Sequence, residues 1–249
     1  IWFFTEIKKL INKKISLEHS KKIKIIKVST VPVTMNIIMK GQLQFLNKFY
    51  EVIGIASNDN KHFSEMHDRE GIRLIALPLT RKLSILKDIF ALFKLIIILR
   101  KEKPSIIHSI TPKAGIISML GSIIAGVPIR IHTFTGLVFP SRSGLKKIIL
   151  KNLDRLICIC ATNIYPEGEG VKNDLITYRI TSKKLVVIAN GNINGVDTEF
   201  FKNDYIPDSE EMRLKIRSSL GITKTDIVFI FVGRICFEKG IRELIKAVN

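Results

Sequence analysis

Short continuous apolar runs alternate along the chain with longer stretches in which apolar side chains recur at helical spacing. The runs predict strands over 23–29, 51–56, 72–77, 105–107, 129–131, 163–165, 185–188 and 226–233. The periodic stretches predict helices over 36–48, 63–70, 145–160, 171–178 and 241–248, with another ending at Leu220-Gly221 after the capping pair Asp208 and Glu211. Ser84 is placed to cap a long helix reaching about Lys101, with Ile85, Ile89, Leu92, Leu95, Ile96 and Leu99 facing inward. Strands alternating with helices in this way predict an α/β fold, a doubly wound parallel sheet with right-handed crossovers.

The most informative stretch runs from Pro104 to Gly144. Ser105-Ile106-Ile107 is a strand closed by His108-Ser109. Thr111 and Pro112 then open a helix that carries Ile116, Ile117, Leu120, Ile123 and Ile124 on its apolar positions and stops at Gly126-Val127-Pro128. A second strand, Ile129-Arg130-Ile131, ends in His132-Thr133-Phe134-Thr135-Gly136. Ligands of open parallel sheets sit outside the carboxyl ends of the strands. Two histidines at neighbouring strand ends, followed by hydroxyls and glycine, are therefore expected to point at one crevice. A lone histidine there reads more readily as a satisfied core imidazole, and it is the pair that raises the functional reading. His132 is the stronger candidate for contact with a polar substrate.

Composition narrows the class. The 249 residues are 46% hydrophobic, enough for one large α/β domain and part of another. The chain reads as a fragment at both ends. A net charge of +18 fits attraction to acidic lipid headgroups or a diphosphate, and equally a lysine-rich composition spread over solvated faces. Nucleic acid is not an expected partner, since no binding motif or aromatic-interleaved basic stretch is present. Cys158, Cys160 and Cys236 make neither a disulfide framework nor a zinc site, which favours a reduced, cytosolic chain. The apolar run from Ile89 to Leu99 is too short to span a bilayer. Lys146, Lys147 and Lys151 beside Ile148, Ile149 and Leu150 predict a basic amphipathic face for a membrane surface.

Two further motifs offer chemistry. Gly233-Arg234 and Lys239-Gly240 put two cations between a strand and a helix start, where amides and dipole favour an anion such as a diphosphate; a solvated loop with ordinary surface cations is the other reading. Glu167-Gly168-Glu169-Gly170 can bind sugar hydroxyls or cap the next helix. Asn190 to Asp197 is dense in turn residues, as a domain-crossing loop should be. No dinucleotide fingerprint follows the first strand, which argues against a dehydrogenase or an ordinary sugar-nucleotide epimerase.

Read together, these motifs resemble family-four glycosyltransferases of the GT-B fold, of the capsule, O-antigen and exopolysaccharide type. The resemblance rests on His108-Ser109-x-Thr111-Pro112-Lys113-Ala114-Gly115, Gly126-Val127-Pro128, Arg130 to Gly136, Tyr165 to Gly170, the 190–197 loop and Gly233-Arg234 with Lys239-Gly240. It implies a retaining, metal-independent transferase without a cofactor, moving a sugar from a nucleotide diphosphate donor to a lipid-linked glycan acceptor. Gly233, Arg234 and Lys239 would hold the donor diphosphate, and His132 would be the catalytic histidine near the transferred sugar. His108, Thr133, Thr135, Gly136, Glu167 and Glu169 would line the acceptor and sugar cleft. Residues 1–22, basic and short of periodic apolar positions, read as an extension, and on this resemblance 23–198 are the acceptor-side Rossmann-like domain. Residues 199–249 would then be the truncated start of a nucleotide-sugar domain, whose paired glutamates are missing. The expected location is cytoplasmic, peripheral on the anionic inner face of the cell membrane. The chain alone is expected not to transfer sugar, and a non-catalytic remnant that binds membranes or anions is the alternative.

Overall fold

The computed structural model describes Thr5, Lys8 and residues 22–81, 84–201, 209–233, 235–236 and 239–248. Most of the 1–22 extension, and with it most of the predicted basic arm, lies outside the described residues, as do Asp208 and Arg234. The remainder divides into a unit that runs up to Gly195 and a smaller one from Val196 onward.

In the first unit, six strands form one parallel sheet in the order β3-β2-β1-β4-β5-β6. They are β1 (Lys24–Val28), β2 (Glu51–Ala56), β3 (Arg73–Ala76), β4 (Ile106–Ser109), β5 (Ile129–Phe134) and β6 (Asn163–Pro166). The chain works outward from β1 to one edge, returns, and continues from β4 to the other edge. The strand order therefore reverses between β1 and β4, and a ligand crevice is expected at the carboxyl ends of that pair. There Val28 lies beside Ser109, and Ser109 beside His132 on β5.

Helices cover both faces, so the strands are apolar on both sides. α1 (Pro32–Ile38), α2 (Gln42–Asn47) and α3 (Lys61–Glu70) follow the first two strands. They enclose a core of Ile25, Met35, Leu43, Val52, Met66, Ile106, Ile129 and Ile131. α4 (Ile85–Glu102), α5 (Pro112–Ile124), α6 (Gly144–Cys160) and α7 (Glu169–Thr177) come later, with a short 3-10 turn at Phe139–Ser141 before α6. The other core gathers Ile26, Val28, Ile53, Ile55, Leu95, Leu99, Ile107, Ile117, Phe134 and Ile157. Adjacent residues of one strand, such as Ile25 and Ile26, fall in different cores because side chains alternate across a sheet.

Several expectations need correction. The helix expected over 36–48 begins at Pro32 and is two helices, because Gly41 takes φ +75° and turns the chain between them. Residues 185–188 carry no strand, and β6 is the edge of the sheet. On α4 the buried face is Ala91, Leu95, Ile96 and Leu99, while Ile85 and Ile89 are exposed. α5 buries Ala114, Gly115, Ile117, Ser118, Met119, Gly121 and Ser122 and leaves Ile123 and Ile124 exposed, so its inner face is largely the small-residue one.

The second unit holds α8 (Ser209–Ser219) and α9 (Ile241–Val248). The strand expected over 226–233 is not formed, and Phe229 there is 88% exposed. A strand exists only through a neighbour's hydrogen bonds, and among the described residues none pairs with this segment.

Candidate functional site

β4 and β5 deliver the two histidines to opposite faces of the sheet. Side chains alternate along a strand, and the register sets Ser109, not His108, beside His132. The expected convergence of both rings on one crevice is therefore corrected: each ring heads its own cluster.

On the α1–α3 face, His108 is 2% exposed, and its Nδ1 lies 2.7 Å from the Nζ of Lys27 on β1. Its Nε2 lies 2.8 Å from the Thr133 hydroxyl. Lys27 is fully buried, which drives its pKa well down toward the neutral amine, and it also reaches Gln42 Oε1 at 3.4 Å. Burial first, and then Lys27 and His132, hold the His108 pKa well below the usual histidine range. A neutral imidazole thus bridges an amine and a hydroxyl, with no net charge needed inside the core. Above this cluster Gln42, His108, Thr133, Tyr165, Glu167 and Asn192 line a small recess. Glu167 is half-buried, and burial raises its pKa.

The loop expected to cross between domains closes the recess. Gln42 Nε2 donates to Ile193 O at 3.0 Å, Asn194 Nδ2 to Lys40 O at 2.9 Å, and the Asn192 amide to Glu167 O at 2.6 Å. Gly191 takes φ +92°, and a Cβ there would meet Glu167 O at 2.8 Å, so only glycine lets the loop lie this close.

On the α4–α6 face, His132 is 1% exposed. Its Nδ1 lies 2.8 Å from the Ser109 hydroxyl and its ring meets Phe134 edge-on at 4.5 Å. Burial pushes its pKa down to about 3, so the ring is neutral at physiological pH. A Cβ on Gly115 would sit 2.6 Å from the imidazole, so α5 approaches β5 this closely only because position 115 lacks a side chain. At the reversal point the Thr30 and Thr111 hydroxyls lie 2.6 Å apart, and the Thr30 amide donates to Thr111 Oγ1 at 3.0 Å. Thr111 thus ties β1 to the start of α5 instead of capping α5 with its side chain.

The other predicted residues are scattered. Thr135 is exposed and Gly136 half-buried on the turn after β5. Glu169 is exposed in the first turn of α7 and pairs with Lys172 at 3.0 Å, the arrangement of a helix start. Gly233 and Lys239 are exposed in the second unit. Among the described residues no group of three or more His, Cys, Asp or Glu is placed to hold a metal ion.

The sequence pattern gives no role to Lys27 or Gln42, and marks Ser109 only as part of a motif. A visible signal is Lys27 itself, a charge between the apolar Ile26 and Val28 in the middle of a strand. Nor does the pattern reveal a chamber of about 630 Å³ between the β1–α1 turn and helices α4, α5 and α6.

Comparison with known proteins gives the following. The description Glycosyltransferase Family 4 matches residues 43–200. The chain is 34% identical over 211 residues to the capsular polysaccharide biosynthesis glycosyltransferase CapM of Staphylococcus aureus, covering 84% of this chain and 53% of that one. It is 28% identical over 227 residues to an Escherichia coli UDP-Gal:alpha-D-GlcNAc-diphosphoundecaprenol alpha-1,3-galactosyltransferase, covering 89% of this chain and 56% of that one. The chain thus spans about half the length of the curated relatives it matches. Among solved structures, a glycosyltransferase from Rickettsia africae superposes with a TM-score of 0.59 at 18% identity, over 83% of this chain and 51% of that one. That likeness concerns the fold.

Proposed function

The chain belongs to glycosyltransferase family 4, and on that premise we propose that it is the acceptor-side part of a surface-polysaccharide sugar transferase. The donor is a nucleotide diphosphate sugar and the acceptor a glycan on a lipid diphosphate. The observation that carries this reading is the relatedness to the capsular enzyme over most of the chain. The galactosyltransferase adds chemistry, since its name states a UDP-sugar donor and a diphosphoundecaprenol acceptor.

Each part of the chain has a role in this proposal. The transferred sugar lies outside the carboxyl ends of β4 and β5. His132, neutral and anchored through Nδ1 to Ser109 but only 1% exposed, is assigned to the transferred sugar, a contact that requires the end of β5 to open and uncover the ring. A neutral ring suits that task, because a hydroxyl needs a partner and not a charge. His108 and Thr133 hold the floor of the neighbouring recess, with Glu167 at its mouth as the carboxylate nearest a sugar; Thr135 and Gly136 form the turn beside it. Glu169 is committed to Lys172 and has the lesser part. Gly233, Arg234 and Lys239 meet the donor diphosphate. These cations and a helix start neutralise the departing diphosphate, so transfer with retention needs no metal.

The protein works at the cytoplasmic membrane face. Leu145, Ile148 and Ile149 of α6 are exposed next to Lys146, Lys147 and Lys151, and α4 exposes Leu86, Phe90, Phe93 and Ile97. Exposed apolar side chains interleaved with lysines suit an anionic bilayer surface. Among the described residues no helix is long and apolar enough to cross a membrane.

Deleting the encoding gene and profiling lipid-linked glycans by mass spectrometry tests the proposal. Accumulation of an intermediate one sugar short is expected. An unchanged profile would count against it.

A further inference from the structure

The chamber of about 630 Å³ lies wholly in the first unit and beside the reversal point of the sheet. Val31, Pro112, Ile116, Leu150, Leu153 and Ile157 give it an apolar wall. Its volume is in the range of about 300–1,000 Å³ usual for small-molecule sites. At its mouth stand three exposed cations, Arg81, Arg142 and Lys146. A fourth, Lys113, is held by Asp88 at 2.7 Å. Deep among the leucines is one carboxyl, Asp154, which is 7% exposed. Burial pushes its pKa up to about 7, so near neutral pH it is about half protonated and carries less negative charge than an exposed aspartate.

An apolar interior behind a cationic mouth selects an amphiphile: an apolar chain with an anionic head. A sugar alone would leave its hydroxyls facing aliphatic walls, at a cost for every unmet hydrogen bond. A nucleotide would bring its phosphates but no chain to fill the interior.

We propose that this chamber binds the prenyl-diphosphate end of the lipid-linked acceptor, with the first isoprene units between α4, α5 and α6 and the diphosphate at Arg81, Arg142 and Lys146. The identity of the chain rests on the sugar-transfer reading above; the preference for an anionic amphiphile rests on the chamber alone. The lipid is then held beside the carboxyl ends of β1 and β4, and its attached glycan extends toward the end of β5.

Calorimetry on the 249-residue chain with farnesyl diphosphate tests this, with inorganic diphosphate, farnesol and myristate as comparison probes. Farnesyl diphosphate is expected to bind at least tenfold tighter than each of the three. The double change Arg142→Glu and Lys146→Glu, at exposed positions, should weaken it by tenfold or more, since charge-assisted bonds are lost. Ile116→Trp, which fills the chamber, should abolish binding while the thermal melting curve reports whether the chain stays folded. Equal binding of myristate would overturn the prenyl-diphosphate assignment in favour of a general amphiphile pocket. Binding no tighter than inorganic diphosphate, or unaffected by the double change, would overturn the site. Failure here with a truncated glycan in the deletion strain refutes the chamber alone. Binding here with an unchanged glycan profile refutes the transferase reading and leaves the chamber standing.

Discussion

Two lysines of β1 look alike in the sequence and have opposite fates. Lys24, near the start of the strand, pairs with Glu102 at 2.7 Å and Glu51 at 3.1 Å. Arg73 joins them, and its hydrogen bond is the largest of the effects that hold the Glu102 carboxyl down to about 2. Lys27, three residues further on and so on the other face of the strand, is enclosed with His108 and Gln42. Strand alternation separates their faces, but what encloses Lys27 is His108 on β4, 81 positions further along the chain. Lys27→Met keeps the volume but removes the amine that His108 Nδ1 and Gln42 Oε1 face. Leaving such groups buried without that partner costs about 1–3 kcal/mol. Urea denaturation should show a loss of that size with an unchanged slope. A variant as stable as the parent would mean that the amine adds nothing to the cluster.

At the scale of elements, glycines on α5 decide how closely the helix approaches the sheet and its neighbours. A Cβ at Gly115 would lie 2.6 Å from Cε1 of His132 and 3.0 Å from Ile157, whereas at Gly121 the nearest atom is Leu92 Cδ1 at 3.3 Å. Alanine gains about 0.5–1 kcal/mol over glycine inside a helix. Overpacking costs about 1–3 kcal/mol. Gly115→Ala should therefore lower stability and displace the His132 ring, while Gly121→Ala should be nearly neutral. Thermal melts and the imidazole proton resonances would show both. A stable Gly115→Ala variant with unmoved His132 signals would contradict the close approach.

The same helix shows where pattern reading succeeds and where it stops. Pro112 at the first turn and the halt after Ile124 were legible, because they are set by local backbone chemistry. The buried face was not, because a rule that seeks large apolar residues points at Ile123 and Ile124, while close packing selects Gly and Ser. The histidine pair went astray for a related reason: strand alternation fixes each ring's face only relative to a register, and register is a property of two strands. Residues 227–232 have strong strand preference and, among the described residues, no strand neighbour.

For the whole molecule, the parallel α/β architecture followed from the alternation of runs and periodic stretches, and the reversal point followed once the strand order was known. The second unit is a different case. Val196, Phe200 and Phe201 are exposed where it begins. Limited proteolysis should cut first between about 196 and 201 and leave a folded fragment that retains the melting transition of the first unit. A single cooperative loss of all bands would contradict the division.

The central claim is sugar transfer to a lipid-linked acceptor. The most direct test incubates the native gene product with a panel of radiolabelled nucleotide diphosphate sugars and a synthetic sugar-diphosphoprenol. One donor should move label into the organic phase, and His132→Ala should lower turnover with nucleotide diphosphate affinity nearly unchanged. Label that stays in the aqueous phase with every donor would contradict the account.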